Sequence, residues 1–206
     1  METIAAACAE TVVYADPTCP FAWITSQWLM EVHRQGAAVV HRELMSLSAV
    51  NEGRELDGWY REYNDGAWRP ARVAAALLDS PHAKAWDDFY QAFGQRRHVQ
   101  GVRDDDANLA ATLAELGLPA GLAAAAGDDR WDDDLRRRTA MACGPLRGDG
   151  GTPVLRVRGR AYFGPVLTAI PRGAEAVALW QAVQTLTATP AFSEIKGARD
   201  ENLHTA

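Results

Sequence analysis

The chain has 206 residues, 48% of them hydrophobic and 23% charged, with a formal net charge of −6; this suits one globular domain, or one carrying a large insertion, and excludes wholesale disorder. The acidic balance argues against a nucleic-acid partner, which needs clustered Lys and Arg to replace phosphate counterions. No apolar run approaches the ~20 residues that span a bilayer, and the start from Met1 to Cys8 lacks the basic and apolar regions of a secretory signal, so a soluble, cytoplasmic protein is expected.

In chain order, the β-branched and aromatic run Thr11 to Ala15 predicts a buried strand. After Asp16-Pro17-Thr18-Cys19-Pro20, apolar residues recur at Phe21, Ile24, Trp28 and Val32, on one face of a helix. The break at Gln35-Gly36 and a second strand over Ala37 to Arg42 complete a βαβ unit of a parallel sheet. The middle of the chain shows no strand alternation. Helices are predicted over Arg69 to Leu78, Ala83 to Phe93, Asp105 to Leu116 and Asp129 to Cys143, with a short one over Pro119 to Ala126. Asp104 to Asp106 places negative charge at a helix start, and Gly117 fits the position after a helix end. Strand character returns in a hairpin of Thr152 to Arg158 and Ala161 to Phe163 around a Gly159-Arg160 turn, and Glu175 to Leu186 predicts a closing helix. The organisation expected is an α/β domain over residues 1–57 and 145–206, interrupted by an all-helical insertion over 58–144.

The informative residue is Cys19, at a strand-to-helix junction with Pro20 in the first helical position, where its missing N–H costs nothing. Unpaired first-turn amides and the helix dipole are expected to hold a thiolate and lower its pKa below ~8.5; the alternative is a small hydrophobe covering a turn. The second feature is Thr152-Pro153, which opens a strand after Gly148-Asp149-Gly150-Gly151. A cis proline there, facing a thiolate at a helix start, is the substrate-gripping geometry of thioredoxin-like folds, whereas a trans proline would mark an edge strand. Other signals are weak. Gly148 to Gly151 lacks the Lys-Ser/Thr of a phosphate loop, the Asp runs read as solvated helix starts, and the cysteines are too scattered for a zinc site, so no metal is expected.

Taken together, Asp16 to Ala22, the helical middle, Gly151 to Leu155 and Tyr162-Phe163-Gly164-Pro165-Val166 resemble the DsbA-like thioredoxin superfamily, and within it the mycothiol-dependent nitroreductase family. The resemblance implies a thioredoxin-like fold with a large helical insertion, redox chemistry on Cys19, and mycothiol or another low-molecular-weight thiol as co-substrate. It further implies that Asn51 and His98 lie near the thiol pocket, Phe21 beside the cysteine, and Trp59 or Tyr60 on the wall. Asn51 could hydrogen-bond a polar thiol or merely cap a loop. His98 could pair with the thiolate or be a solvated loop residue, and Trp59 and Tyr60 could simply pack the insertion.

One departure shapes the expected chemistry. Position 22 is Ala, so Cys19-Pro20-Phe21-Ala22 has no resolving cysteine, and turnover must be monothiol, with an external thiol releasing the mixed disulfide. Cys143 is a conceivable resolver or a core residue, and Cys8 reads as incidental. The candidate set is therefore Cys19 as catalytic residue, with Pro20, Phe21, Asn51, Tyr60, His98, Thr152 and Pro153 binding the thiol and an electrophilic substrate such as a disulfide or nitro compound. Two other readings stay open. One is a kappa-class glutathione-transferase-like isomerase using the Thr18 hydroxyl; the other is a non-catalytic thiol- or peptide-binding module. Homodimer formation is also left open.

Overall fold

The computed structural model describes residues 11–146, 150–200 and 202–206; Cys8, Gly148 and Asp149 lie outside the described residues. The predicted strand at Thr11–Ala15 (β1) forms the centre of a four-stranded sheet of order β2-β1-β3-β4. Helix Pro20–Arg34 (α1) then carries the chain back to strand Val40–Leu44 (β2), which pairs parallel with β1 from Thr11↔Val40 to Ala15↔Leu44. This is the expected βαβ unit, but its second strand begins three residues later than predicted. The cause is the helix end: Gly36 adopts φ +70°, and the amides of Gly36 and Ala37 are spent on the carbonyls of His33 and Val32. β2 is an edge strand whose Arg42 and Leu44 point inward while His41 and Glu43 face solvent.

Strands Val154–Val157 (β3) and Arg160–Phe163 (β4) form the predicted hairpin, and β3 lies antiparallel to β1. Its turn sits one residue earlier than expected. Val157 pairs with Arg160, leaving Arg158 (φ 52°) and Gly159 (φ 79°) as the loop. Both residues are left-handed, the geometry that follows the twist of the flanking strands, and a Gly159-Arg160 loop would put the glycine's freedom only at the first position. Helix Gly173–Ala188 (α7) packs with α1 on one face of the sheet, where Trp28 and Trp180 meet edge-on at 6.2 Å over Val13, Leu155 and Val157. Such fully buried side chains each contribute about 1.5–3 kcal/mol by leaving water.

Between β2 and β3 come helices Leu47–Asn51 (α2), Gly58–Leu78 (α3), Trp86–Gly94 (α4), Asp105–Glu115 (α5) and Asp132–Cys143 (α6), with 3-10 turns at Ala83–Ala85, Ala120–Gly127 and Asp129–Trp131. This is the helical insertion. Two features differ from expectation. α3 starts at Gly58 rather than Arg69, running straight through Gly66 and Pro70. The breakers are overridden because Asn64, Ala67, Ala71 and Ala74 form one buried stripe. Second, α4 continues into a π-helical turn over Gln95–Val99, closed by a bond from the Gln100 amide to the Gln95 carbonyl at 3.0 Å. Gly94 precedes it by necessity, since a Cβ there would lie 2.3 Å from the Trp23 ring. The core of the insertion is continuous with the underside of α1: Ala15, Cys19, Ala22 and Trp23 share a cluster with Phe89, Phe93, Leu109 and Leu135.

Candidate functional site

Cys19 is the residue that caps α1, with extended backbone (φ −74°, ψ 117°) and Pro20 next in the helix. Pro20 and Phe21 are half-buried, and the Arg199 guanidinium lies 5.1 Å from the centre of the Phe21 ring. The cysteine side chain is 4% exposed. Its thiol donates to the carbonyl of Thr152 at 3.5 Å, and the Thr152–Pro153 peptide bond is cis. The two features that stood 133 residues apart in sequence therefore meet at one sulfur.

The expectation of a lowered thiol pKa is not met. Burial pushes the Cys19 thiol up to about 12, and the neighbouring Asp16 carboxylate adds to the rise; the amides of Ala22 and Phe21 and the Thr152 side chain pull the other way and lose. The physical reason is magnitude. Desolvating a thiolate can raise a pKa by several units, whereas helix-terminal amides act only through the first turn. Cys19 rests as a hydrogen-bonded thiol.

Asp16, a motif residue given no role by the sequence, organises this turn. It is fully buried, and its Oδ1 accepts from the Thr18 amide at 2.7 Å and the Thr18 hydroxyl at 2.6 Å, while Oδ2 accepts from the Leu47 amide at 2.6 Å. Its own amide donates to Thr152 Oγ1 at 3.3 Å. One residue thus ties β1, the Cys19 turn, the start of α2 and the Thr152 loop together, the first three through its carboxylate and the last through its amide. Burial holds its carboxyl above the usual range despite these donors.

Asn51 is the last residue of α2 and is buried, but its amide is spoken for. Nδ2 donates to the Tyr60 hydroxyl and to Asn64 Oδ1, each at 3.0 Å, and Oδ1 accepts from Arg54 at 3.3 Å. It therefore aims Tyr60 rather than capping a loop. Tyr60 itself accepts from Asn51 and keeps its own O–H to give; burial raises its pKa, and the proximity of Cys19 raises it further. Trp59 is 71% exposed and packs on Tyr60, ring centres 5.5 Å apart. Tyr60 in turn stacks on Tyr63 at 6.4 Å.

His98 is neither a partner of the thiol nor a solvated loop residue. It sits in the π-helical turn, stacks on Trp23 with ring centres 5.5 Å apart, and places Nε2 2.9 Å from the Pro17 carbonyl. A carbonyl only accepts, so Nε2 carries the proton. Burial lowers the His98 pKa to about 4, leaving the ring neutral near pH 7.

Tyr63 and Arg97 were not singled out by sequence. Tyr63 donates to the Thr18 carbonyl at 2.5 Å, and Arg97 lies 5.6 Å from the Tyr63 ring centre while pairing with Asp105. The available signal was that Tyr60 and Tyr63 are three apart on what proves to be one helix face.

Cys143 ends α6 and is half-buried, with its thiol pushed up to about 11 by burial against the opposing pull of Arg54. It lines a cavity of about 380 Å³ with Arg54, Arg136, Thr139 and Gly150, a cavity whose lining does not include Cys19. Among the described residues no group of three or more His, Cys, Asp and Glu side chains could hold a metal ion, and no helix is long and apolar enough to cross a membrane.

The fold is α/β with a helical insertion, of the DsbA-like thioredoxin type, and it sets a thiol at a helix start opposite Thr152-Pro153. The chain belongs to the Rv2466c-like family, described as mycothiol-dependent nitroreductase Rv2466c, whose family model matches residues 18–197. It is 32% identical over 187 residues to the uncharacterized protein Rv2286c of Mycobacterium tuberculosis, covering 88% of this chain and 78% of that protein. Among solved structures it is similar in fold to a 2-hydroxychromene-2-carboxylate isomerase (TM-score 0.57, 13% identity, 87% of this chain and 95% of that one). It is likewise similar in fold to the cytosolic disulfide reductase DsbM of Pseudomonas aeruginosa with GSH (TM-score 0.52, 19% identity, 86% and 100%).

Proposed function

We propose that this protein is a monothiol oxidoreductase in which Cys19 exchanges with a low-molecular-weight thiol, mycothiol being the one its family implies. The observation that carries the reading is the placement of the Cys19 sulfur: first-turn amides of α1 on one side, the Thr152 carbonyl on the other. An incoming disulfide that docks along Thr152-Pro153 takes over that carbonyl's surroundings and frees the thiol proton to solvent. The Cys19 thiolate then attacks one sulfur of the disulfide, forming a mixed disulfide and expelling the other sulfur as a thiolate. A second small thiol, after losing its own proton, attacks the mixed disulfide and restores Cys19. Ala22, buried where a resolving cysteine would stand, offers no internal alternative. With a nitro compound, the first two-electron step turns two small thiols into one disulfide and the nitro group into a nitroso group, one nitro oxygen leaving as water.

Tyr60, with Asn51 fixing its oxygen, supplies a donor for a polar thiol at the pocket edge, with Pro20 and Phe21 providing an apolar lip. Such a reaction suits a thiol-rich cytoplasm. The isomerase reading fares worse, because the Thr18 hydroxyl it requires is buried and given to Asp16 at 2.6 Å. The burial of Cys19 is what favours the second reading, a thiol-binding module whose cysteine stays inert. Intact mass spectrometry after incubation with oxidised mycothiol, and separately with oxidised glutathione, separates them. A single adduct mapped to Cys19 with oxidised mycothiol supports the oxidoreductase. An adduct with oxidised glutathione alone would replace mycothiol with glutathione, and no adduct with either would leave the binding module.

A further inference from the structure

Two peptide planes lead into Cys19, and each is held at both ends. In the plane joining Pro17 to Thr18, the N–H goes to Asp16 Oδ1 at 2.7 Å and the C=O receives His98 Nε2 at 2.9 Å. In the plane joining Thr18 to Cys19, the N–H goes to the Asp16 carbonyl at 3.2 Å and the C=O receives the Tyr63 hydroxyl at 2.5 Å. Both inner anchors belong to the turn itself. Both outer anchors come from the helical insertion, one from α3 and one from the π-helical turn. Each is braced in its own right. Arg97 lies over the Tyr63 ring and pairs with Asp105 of α5, while His98 stacks on Trp23 and its carbonyl receives the Thr205 hydroxyl at 2.7 Å.

We propose that the insertion sets the aim of the Cys19 sulfur, with Tyr63 and His98 as positioning residues and Arg97 as the brace of Tyr63. The inference deepens the oxidoreductase reading and takes from it only that Cys19 is the reactive group. The physical basis is that the direction of a side chain follows its backbone dihedrals. Once the planes on the N-terminal side of residue 19 are fixed, the sulfur points at the Phe21 and Ala22 amides and the Thr152 carbonyl. Free one plane and the sulfur swings off those amides, so the thiolate loses their support. The titratable groups facing this sulfur are Asp16 from its own turn, Tyr60 and Tyr63 from α3 and Tyr90 from α4, with Arg97 and His98 behind the turn. Tyr63→Phe and His98→Gln preserve the bulk at their positions.

The test is the rate of Cys19 alkylation by iodoacetamide as a function of pH, read by peptide mapping so that the other thiols do not contribute. Tyr63→Phe and His98→Ala should each move the midpoint to higher pH and slow alkylation at neutral pH by about fivefold, the worth of one net hydrogen bond. His98→Gln, which keeps an N–H donor at the same reach, should restore most of the wild-type profile. A folded Tyr63→Phe protein with an unshifted or downshifted midpoint overturns the proposal; should that variant not fold, the His98→Ala and His98→Gln pair decides in the same way. If wild-type Cys19 alkylates as described yet takes no adduct from oxidised mycothiol or oxidised glutathione, the oxidoreductase reading falls and the positioning role stands.

Discussion

Cys19 and Cys143 both sit at helix termini, and both thiols are pushed upward by burial, to about 12 and about 11. By exposure alone Cys143 is the more available of the two, since it faces an open cavity while Cys19 is 4% exposed. What separates them is direction. Cys19 stands at the start of α1, where the amides of Phe21 and Ala22 favour its ionised form, and it faces the Thr152 carbonyl. Cys143 ends α6, where the dipole is negative, and among the described residues the charge that favours its ionised form is Arg54. On the proposed reading, what singles out Cys19 is what would hold its anion during attack, more than access at rest.

The sharpest way to break this comparison is to delete each sulfur in turn. Cys19→Ser should abolish mixed-disulfide formation and thiol-dependent turnover, while Cys143→Ser retains both; turnover that tracked Cys143 instead would invert the assignment.

A pH titration of stability is expected to show the next largest effect. Burial depresses the His98 pKa from 6.5 to about 4, so between those values the unfolded chain binds a proton that the folded one refuses. Stability from this source is complete above about pH 6.5 and is lost progressively as the pH falls towards 4, by at most about 3 kcal/mol. The raised carboxyl of Asp16 works in the opposite sense, gaining relative stability on acidification. The measurable quantity is therefore the difference between wild type and His98→Gln: chemical denaturation at a series of pH values should show a shallower acid loss in the variant.

Asp16→Asn sharpens the comparison from the Cys19 side. Removing a negative charge beside the sulfur should lower the pH midpoint of Cys19 alkylation and leave Cys143 unchanged. Stability should drop by about 1–3 kcal/mol, because an amide nitrogen cannot accept the bonds that Oδ2 or Oδ1 now receives. The smallest effect belongs to Arg54→Gln, which should raise the Cys143 midpoint slightly by removing a favourable charge. Site-resolved alkylation checks both, and parallel shifts at the two cysteines would show that neither change acts locally.

The sequence disclosed those parts of the molecule whose signals are short-range. Thr11 to Ala15 is a strand because it is β-branched and apolar throughout, and α1 follows from the spacing of Phe21, Ile24, Trp28 and Val32. The motif residues Cys19, Pro20, Thr152 and Pro153 stood out by type and neighbours. Illegible were features in which a distant contact overrode a local preference. α3 passes through Gly66 and Pro70 because its small-residue stripe is buried, and in doing so places Tyr60 and Tyr63 at the site. The π-helical turn turned a short basic piece, Arg96-Arg97-His98, into two residues facing inward. Asp16 was legible only as a motif position, because its carboxylate gathers three donors, one of them from Leu47, far along the chain.

Taken alone, then, the amino-acid order determined the βαβ start, the hairpin, the helical middle and the thiol next to a proline. Folding in three dimensions decided the state of that thiol. Ionisation depends on how much water, charge and N–H surround an atom, and around Cys19 those come from Asp16, the first turn of α1 and the loop at Thr152, with the insertion pinning the turn from outside. No local pattern encodes such a sum, because most of its contributors lie far away along the chain.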